Sequence, residues 1–253
     1  MPNREGRTCD LAQRRINDIK TIVYTQTLNE ILHSLSMTIQ THFLNATGVF
    51  NAHQSQIQQS IDDAFSRIQK VLPAVSEIDV IVQSHPNSAI PEIGIGGYSP
   101  DGNTIFLSFD LAHANIEKAI QHEIIKTLAH EVHHCMRRRG PGYGETLFEA
   151  LITEGLADHF EMEVTHGTPP LWASALTTQE LELMEKMAEE EYWRAYSHND
   201  WFFGSKDKKI PRWAGYTLGF TLVKRYLDQT KERSAQLYNK PAREMFERMQ
   251  NFT

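Results

Sequence analysis

The stretch TLAHEVHHCMRRRG, residues 127–140, holds three histidines and one glutamate within five consecutive positions. His130 and His134 stand four apart with Glu131 directly after the first, which satisfies the pattern H-E-x-x-H. In a helix this spacing stacks two imidazoles on one face, about 5–6 Å apart at Cβ, so both can reach one zinc ion. Glu131 lies near that face, where it could take a proton from an attacking water molecule.

The motif is predicted to lie in the last turns of a mostly buried helix. Asn115 is a suitable N-cap, and Gly140-Pro141 marks the end of the helix. The three arginines at 137–139 fall where the helix should end, and cations there complement the helix dipole. The apolar positions at helical spacing are Ile116, Ile120, Ile124, Leu128, Val132 and Cys135.

A third ligand is needed, because a catalytic zinc normally takes three protein ligands and leaves one position for water. Glu154 lies 20 residues after His134, on the next predicted helix, beyond a short Gly/Pro turn. A helical hairpin would bring Glu154 over the two histidines. Asp158 follows on the same face, where its carboxylate could accept the other ring N–H of a ligating histidine. Glu149 is the alternative third ligand.

Because the chain is rich in histidine, a short histidine motif can arise by chance. A longer pattern of ligands is more specific. With 12 histidines in 253 residues, one H-E-x-x-H arises by chance in about 5% of such chains. Requiring Glu154 and Asp158 as well lowers the chance to on the order of one in ten thousand. The longer pattern therefore predicts a zinc site, whereas the short motif is also compatible with a polar, histidine-rich helix end.

The predicted strands lie early in the chain and most predicted helices lie late, which implies an α+β domain. Strands are predicted at 19–25, at 78–84, and as a pair within 93–109 joined through a Pro-Asp-Gly turn. Helices are predicted from Leu28 to Phe43, Ile57 to Leu72, 115–139, 145–164, from the capping box Thr177–Glu180 onward, 215–227, and 234–249 with a boundary near Pro241. Residues 198–213 are predicted to form a loop.

Composition restricts the class of protein. A chain of 253 residues with 40% hydrophobic and 23% charged residues fits one large domain, or a compact domain with a helical extension. No apolar run approaches the roughly 18 residues of a membrane span. The polar start and the two cysteines, Cys9 and Cys135, favour a cytoplasmic protein in a reducing compartment. A net charge of −7 argues weakly against nucleic acid as a partner.

The pattern resembles the gluzincin metallopeptidases, the thermolysin-like branch of the zincins, in its H-E-x-x-H, its later glutamate and the aspartate four residues beyond. AHEVHH, LITEGLADHF and the late Y-x-x-G-x-x-x-V pattern from Tyr216 to Val223 are more closely similar to a bacterial family of predicted zinc-dependent proteases, catalogued as a domain of unknown function. The likeness covers about residues 95–227. The first 75 residues carry no such resemblance.

This resemblance implies a zincin-like α+β fold, a zinc ion, and hydrolysis of a peptide or protein substrate. The zinc ligands correspond to His130, His134 and Glu154. Glu131 corresponds to the general base, and Asp158 to the residue that orients His130. The predicted early helices indicate a helical N-terminal region at 1–75, and the resemblance implies a zincin-like catalytic domain at 76–253. The two are expected to form one compact unit, and the oligomeric state stays open.

The segment NTIFLSF, residues 103–109, takes the place of the zincin edge strand that pairs with an extended peptide substrate. The edge-strand residues that this implies are Thr104, Ile105, Phe106 and Leu107. The chain departs from better-known gluzincins at Thr153, where many have asparagine. It also has no glycine-rich exopeptidase motif ahead of the helix, so an aminopeptidase is not indicated.

Peptide hydrolysis also needs a donor for the oxyanion that forms on the scissile carbonyl. Tyr216 is the first candidate, from its place in the late helix, and a role in the core is its alternative. Tyr143 and His166 are the further candidates. The aromatic segment 201–204 could be a lid over substrate or an anchor for a long loop.

Two other side chains of the pattern have structural interpretations. His133 points aside within the motif and is expected to be structural or to lie on the surface. Gly155 costs roughly 1 kcal/mol inside a helix relative to alanine, which indicates close packing against another helix.

Two other functions fit the same residues. The zinc site could hydrolyse a non-peptide substrate, or the chain could be a zinc-binding regulatory module without turnover. A purely structural zinc site is disfavoured, because such sites usually close all four positions with cysteine and histidine. Cys135 follows His130 by five residues and faces away from it.

Overall fold

The computed structural model describes residues 39–252. The larger of the two compact units of the chain comprises Gln40–Thr253. The predicted strand at 19–25 and most of the helix predicted from Leu28 lie outside the described residues.

The prediction is wrong for the C-terminal end of that helix, because Ile39–Phe43 form a strand, β1. Its side chains alternate between half-buried and exposed positions. Ile39 and Phe43 are four residues apart, a spacing that fits a helix face and alternate positions of a strand equally well. Pairing with the neighbouring strand decides between the two.

A mixed four-stranded sheet forms one layer of the fold. Its other strands are β2 (Ile78–Ser84), β3 (Ile95–Tyr98) and β4 (Thr104–Phe109), in the order β1-β2-β4-β3. β4 pairs parallel with β2 and antiparallel with β3. The three strands predicted within 78–109 and the α+β class are confirmed.

The prediction that β4 is the substrate edge strand is wrong. Its residues pair with β2 on one side and with β3 on the other, so β4 is an inner strand and β3 is the edge. The turn at 100–102 folds β3 back against the outer side of β4. Chain order places β4 next to the motif helix, but the position of a strand in a sheet depends on its partners. The residues affected by this correction are Thr104, Ile105, Phe106 and Leu107.

The helices lie close to their predicted positions. The long loop predicted at 198–213 contains a π-helical turn at Asn199–Phe203, so it is partly ordered as a helix. None of the helices within residues 39–252 has the length and apolarity that a bilayer crossing requires. The helices are α1 (Gln54–Val71), α2 (Ile116–Arg138), α3 (Leu147–Thr165), α4 (Thr178–Glu191), α5 (Ala214–Thr230), α6 (Ser234–Leu237) and α7 (Ala242–Met249).

Helix α1 packs on α2 and belongs to the unit Gln40–Thr253. The boundary between the two units falls after Ile39, the first residue of β1, whereas the expected helical N-terminal region extends to residue 75. The segment between α6 and α7 ends at Pro241, where the sequence predicts a boundary. Thr177 caps α4 by accepting a hydrogen bond from the Glu180 backbone N–H, as its capping-box pattern predicts.

Helix α3 is the centre of the helical layer and is buried along almost its whole length. It packs backbone to backbone against α5 through two glycines. A Cβ at Gly155 would lie 2.2 Å from the carbonyl oxygen of Gly219, and a Cβ at Gly219 would lie 2.3 Å from the carbonyl oxygen of Leu151. The prediction of close helix packing at Gly155 is confirmed. This contact fixes the position of the neighbouring Glu154 along the helix axis relative to α5.

The three arginines at the end of α2 do more than complement the helix dipole. Arg137 is 1% exposed; its Nε donates to Thr153 Oγ1 at 3.1 Å and its Nη1 to the backbone oxygen of Lys240 at 3.1 Å. Arg139 is exposed and donates at 2.7 Å to the backbone oxygens of Gly102 and Ser76. These contacts tie the end of α2 to the C-terminal helices and to the sheet.

Candidate metal centre

Three buried side chains predicted as ligands converge between α2 and α3. The Nε2 atoms of His130 and His134 lie 3.0 Å apart. Glu154 Oε2 lies 3.1 Å from His130 Nε2, and Glu154 Oε1 lies 3.3 Å from His134 Nε2. The helical hairpin expected from the sequence therefore brings these donors to one point.

The residues of this cluster fit a zinc ion. Their ligand atoms all lie within 4.8 Å of one another, a separation that a single ion can bridge. Two imidazole nitrogens and one carboxylate form a donor set of catalytic zinc sites, and three ligands leave a coordination position free. Without a metal ion, two imidazole nitrogens and a carboxylate that converge on one buried point are hard to supply with binding partners.

The protonation of the cluster suits metal ligation. Burial raises the pKa of Glu154, but the neighbouring His134 and His130 outweigh it, so the pKa of this carboxyl lies well below its ordinary value. An ionised carboxylate is the form that binds a cation. Glu154 also accepts a hydrogen bond from the Tyr143 hydroxyl, which holds one of its oxygens in place.

Asp158 lies behind His130, as the sequence predicts. Its Oδ1 is 3.1 Å from His130 Nδ1, although the two groups are not aligned as an ideal hydrogen bond. The same oxygen accepts a hydrogen bond of 2.9 Å from Trp172 Nε1. Asp158 is fully buried. Trp172 was not predicted, since it follows α3 in a segment without a motif.

Asp158→Asn is expected to weaken zinc binding by about 10- to 100-fold, because the amide removes the negative charge that supports and orients His130. Competition with a chromophoric zinc chelator measures the affinity. Asp228→Asn, which changes an exposed aspartate of α5, is the matched control. An unchanged affinity in Asp158→Asn would remove this residue from the metal centre.

Glu131 lies beside the edge strand β3. The side chain is 7% exposed, and a Cβ at Gly97 would lie 2.5 Å from Glu131 Cγ and 2.7 Å from its Oε1. Only glycine therefore leaves room for Glu131 at this point of the strand. Gly97 is a functional position that sequence reasoning missed, and the paired glycines of IGGY are the signal that could have indicated it.

Within residues 39–252, no strand pairs with the edge of β3 next to Glu131. Ile95 accepts a hydrogen bond from the Ile90 N–H on its outer side, whereas Gly94 accepts one from Asp110, beyond the end of β4. Backbone groups alternate in direction along a strand, so the peptide groups of Gly97 face outward like those of Ile95. An extended chain could pair with β3 at this place.

Two cavities flank Glu131 and together form a cleft. The first has a volume of about 840 Å³ and runs along β3 toward Trp172 and Trp213. The second has a volume of about 450 Å³ and lies on the His134 side. The residues that line both are Gly97, Tyr98, His130, Glu131, Phe203 and Tyr216.

The three candidates for the oxyanion donor have different surroundings in the structure. Tyr216 lines both cavities near Glu131, whereas the hydroxyl of Tyr143 is used by Glu154. His166 ends α3 in an exposed, left-handed conformation and lines neither cavity. Burial, followed by the charge of Glu154, raises the pKa of Tyr216 well above its ordinary value, so this hydroxyl keeps its proton.

The aromatic segment at 201–204 has the anchoring role, one of its two expected alternatives, and also reaches the cleft. Trp201 and Phe202 are buried and anchor the loop in the core. Phe203 is 55% exposed and faces the cleft. His198, which sequence reasoning missed, stacks on Phe202 and lines the second cavity.

His133 has a structural position, one of its two expected alternatives. It is fully buried, lies against the Phe160 ring, and places Nε2 3.4 Å from the backbone oxygen of Ser234. Its ring thus links α2 to α3 and α6 and takes no part in the convergent cluster.

Comparison with known proteins identifies a family. The model of a family described as predicted Zn-dependent protease, DUF2268, matches residues 49–247. No curated protein and no solved structure matches the chain. The matched range contains the convergent cluster, Glu131 and the edge strand, and it extends beyond the 95–227 on which the sequence resemblance rests. The chain belongs to this family of predicted zinc-dependent proteases.

Proposed function

We propose that this protein is a zinc-dependent peptidase of the zincin type that cleaves a peptide or protein substrate. The observation that carries the proposal is the position of Glu131, next to the cluster of His130, His134 and Glu154 and against an open edge strand. A zinc site without catalysis has no need of a buried carboxylate outside its ligand set at the floor of a cleft.

The zincin-like assignment of the fold is part of the same proposal. It is supported by the motif helix α2 beside the edge strand β3 and by the third ligand on α3. The extended substrate pairs with the outer side of β3, at Gly97, and not with β4. Exposed Tyr98 and Phe203 flank this position and contact substrate side chains.

Each residue of the centre has a defined part in the proposed reaction. His130, His134 and Glu154 would hold the zinc ion, which would supply Lewis acidity toward the scissile carbonyl and the attacking water. Glu131 takes a proton from the attacking water and passes it to the leaving amine. Tyr216 donates a hydrogen bond to the developing oxyanion.

Zinc removal tests the proposal. Purified protein is expected to contain one zinc ion per chain and to cleave internally quenched peptides. Chelation should abolish cleavage and added zinc should restore it, because the three ligands fit a single ion. Metal analysis and fluorescence measure the two results.

The same measurements separate the alternatives. Hydrolysis of an ester panel without any peptide cleavage would indicate a hydrolase of another substrate class. Zinc that stabilises the fold while peptides and esters are all left intact would indicate a binding module. Protein without zinc after zinc supplementation would overturn the proposal altogether.

A further inference from the structure

The arginines at the end of α2 differ in what their guanidinium groups contact. Arg137 and Arg139 donate to backbone carbonyl oxygens of neighbouring segments. Arg138 lies between them in sequence, yet it forms no ion pair within residues 39–252, and its buried Nε has no hydrogen-bond partner there. Arg138 is therefore the one of the three whose cation is not satisfied within the described protein.

Arg138 faces the metal centre. It follows His134 by four residues, so it lies one helical turn further along the same face of α2. Its guanidinium carbon lies 5.1 Å from the centre of the Tyr143 ring, and the side chain lines the second cavity. A cation–π contact of this kind holds the group in position without neutralising its charge.

None of the other ionisable groups of the second cavity forms an ion pair with Arg138 within residues 39–252. Glu131 also lines this cavity, but it lies two helical turns before Arg138. Glu154 is engaged by the two histidines and by Tyr143. Burial raises the pKa of Tyr196 to about 12 and lowers the pKa of His198, so both side chains are neutral near pH 7. Asp101, on the nearby turn, accepts hydrogen bonds from the backbone N–H groups of Asn103 and Thr104. These bonds, and to a smaller extent the charge of Arg138, lower the pKa of Asp101, but the two side chains form no ion pair.

The first cavity offers no comparable cation. Lys126 pairs with Glu123 at 3.0 Å. Arg212 pairs with Glu92 through two hydrogen bonds, the shorter of 2.7 Å. An anionic group of a substrate thus finds an unpaired cation only on the His134 side of the cleft, as far as residues 39–252 are concerned.

We propose that Arg138 is a specificity residue that binds a carboxylate of the substrate in the second cavity. A guanidinium presents two parallel N–H donors that match the two oxygens of a carboxylate. This inference rests on the proposed peptidase function and names its substrate class: peptides that place a carboxylate one helical turn from His134. The carboxylate comes from the chain terminus of the peptide or from an aspartate or glutamate side chain.

Matched peptides distinguish these two sources. One internally quenched peptide is compared as free acid and as C-terminal amide, and a second, amidated peptide carries glutamate or glutamine at successive positions. We expect one of the two carboxylates to raise kcat/KM by about 10- to 100-fold, mainly through KM, because a charged hydrogen-bonded pair is formed on binding. The peptide pair that shows the preference identifies the source of the carboxylate.

Substitution of the arginine ties the preference to the subsite. Arg138→Gln is expected to abolish it, and Arg138→Lys to keep part of it, since lysine retains the charge without the forked donors. Arg139→Gln is the matched control, with the same change of charge at the neighbouring position, and should retain the full preference. Zinc content should be equal in all three variants.

Binding separates failure of this subsite from failure of the peptidase function. The same peptides, carrying a fluorescent label, are titrated into zinc-loaded Glu131→Gln protein and into the double variant with Arg138→Gln. Tighter binding of the carboxylate peptide that depends on Arg138 supports the subsite even if the wild type cleaves nothing. Cleavage or binding without any preference for a carboxylate, or an equal effect of Arg138→Gln and Arg139→Gln, would overturn it.

Discussion

Glu131→Gln is expected to keep one zinc ion per chain and to lose about 10²- to 10⁴-fold in kcat toward peptides, the range by which a general base typically accelerates a reaction. Glutamine has almost the same shape, so it still fits against Gly97. Its amide cannot accept the proton of the attacking water. Glu131 lies outside the ligand cluster of His130, His134 and Glu154, which is why zinc should remain.

Metal analysis and steady-state kinetics on the same preparation measure both effects. Glu123→Gln is the matched control, since Glu123 also belongs to α2 and lines the first cavity of the cleft. This control should retain its activity within a small factor. Hydrolysis at the wild-type rate by Glu131→Gln would exclude the proposed mechanism, and loss of zinc would make Glu131 a ligand.

The parts of the centre that share one helix could be predicted from the sequence, since helical periodicity alone determines which side chains lie together. His130 and His134 follow this rule. Glu154 and Asp158 lie on a second helix, but a short connection leaves the helical hairpin few alternatives, and both residues lie where the spacing predicts. Local geometry therefore accounts for the metal cluster.

The parts that depend on distant segments could not be predicted. β4 precedes α2 in the chain, yet its place inside the sheet is decided by pairing with β2 and β3. Arg137 fits a helix end in sequence, but the carbonyl oxygens of Leu237 and Lys240, 100 and 103 residues away, make it a buried link. Three adjacent arginines look alike until their tertiary contacts are known.

Glu154→Ala is expected to reduce zinc binding to background and to abolish peptide cleavage. The substitution removes the only carboxylate in the cluster of three, and two histidines alone do not complete the ligand set of a catalytic zinc site. Added zinc should raise the unfolding temperature of the wild type, because it binds the folded state, but not that of the variant. Metal analysis and thermal unfolding with and without zinc test this directly.

Glu149→Ala is the control, because Glu149 is the other glutamate of α3 that the sequence allows as a third ligand. In the structure its carboxylate accepts hydrogen bonds from the backbone N–H groups of Glu145 and Thr146, and so caps the helix. Its loss should cost about 1 kcal/mol of stability and leave zinc binding intact. The reverse pattern, with zinc lost from Glu149→Ala and kept by Glu154→Ala, would require a different pairing of α2 and α3, since only Glu154 faces both histidines here.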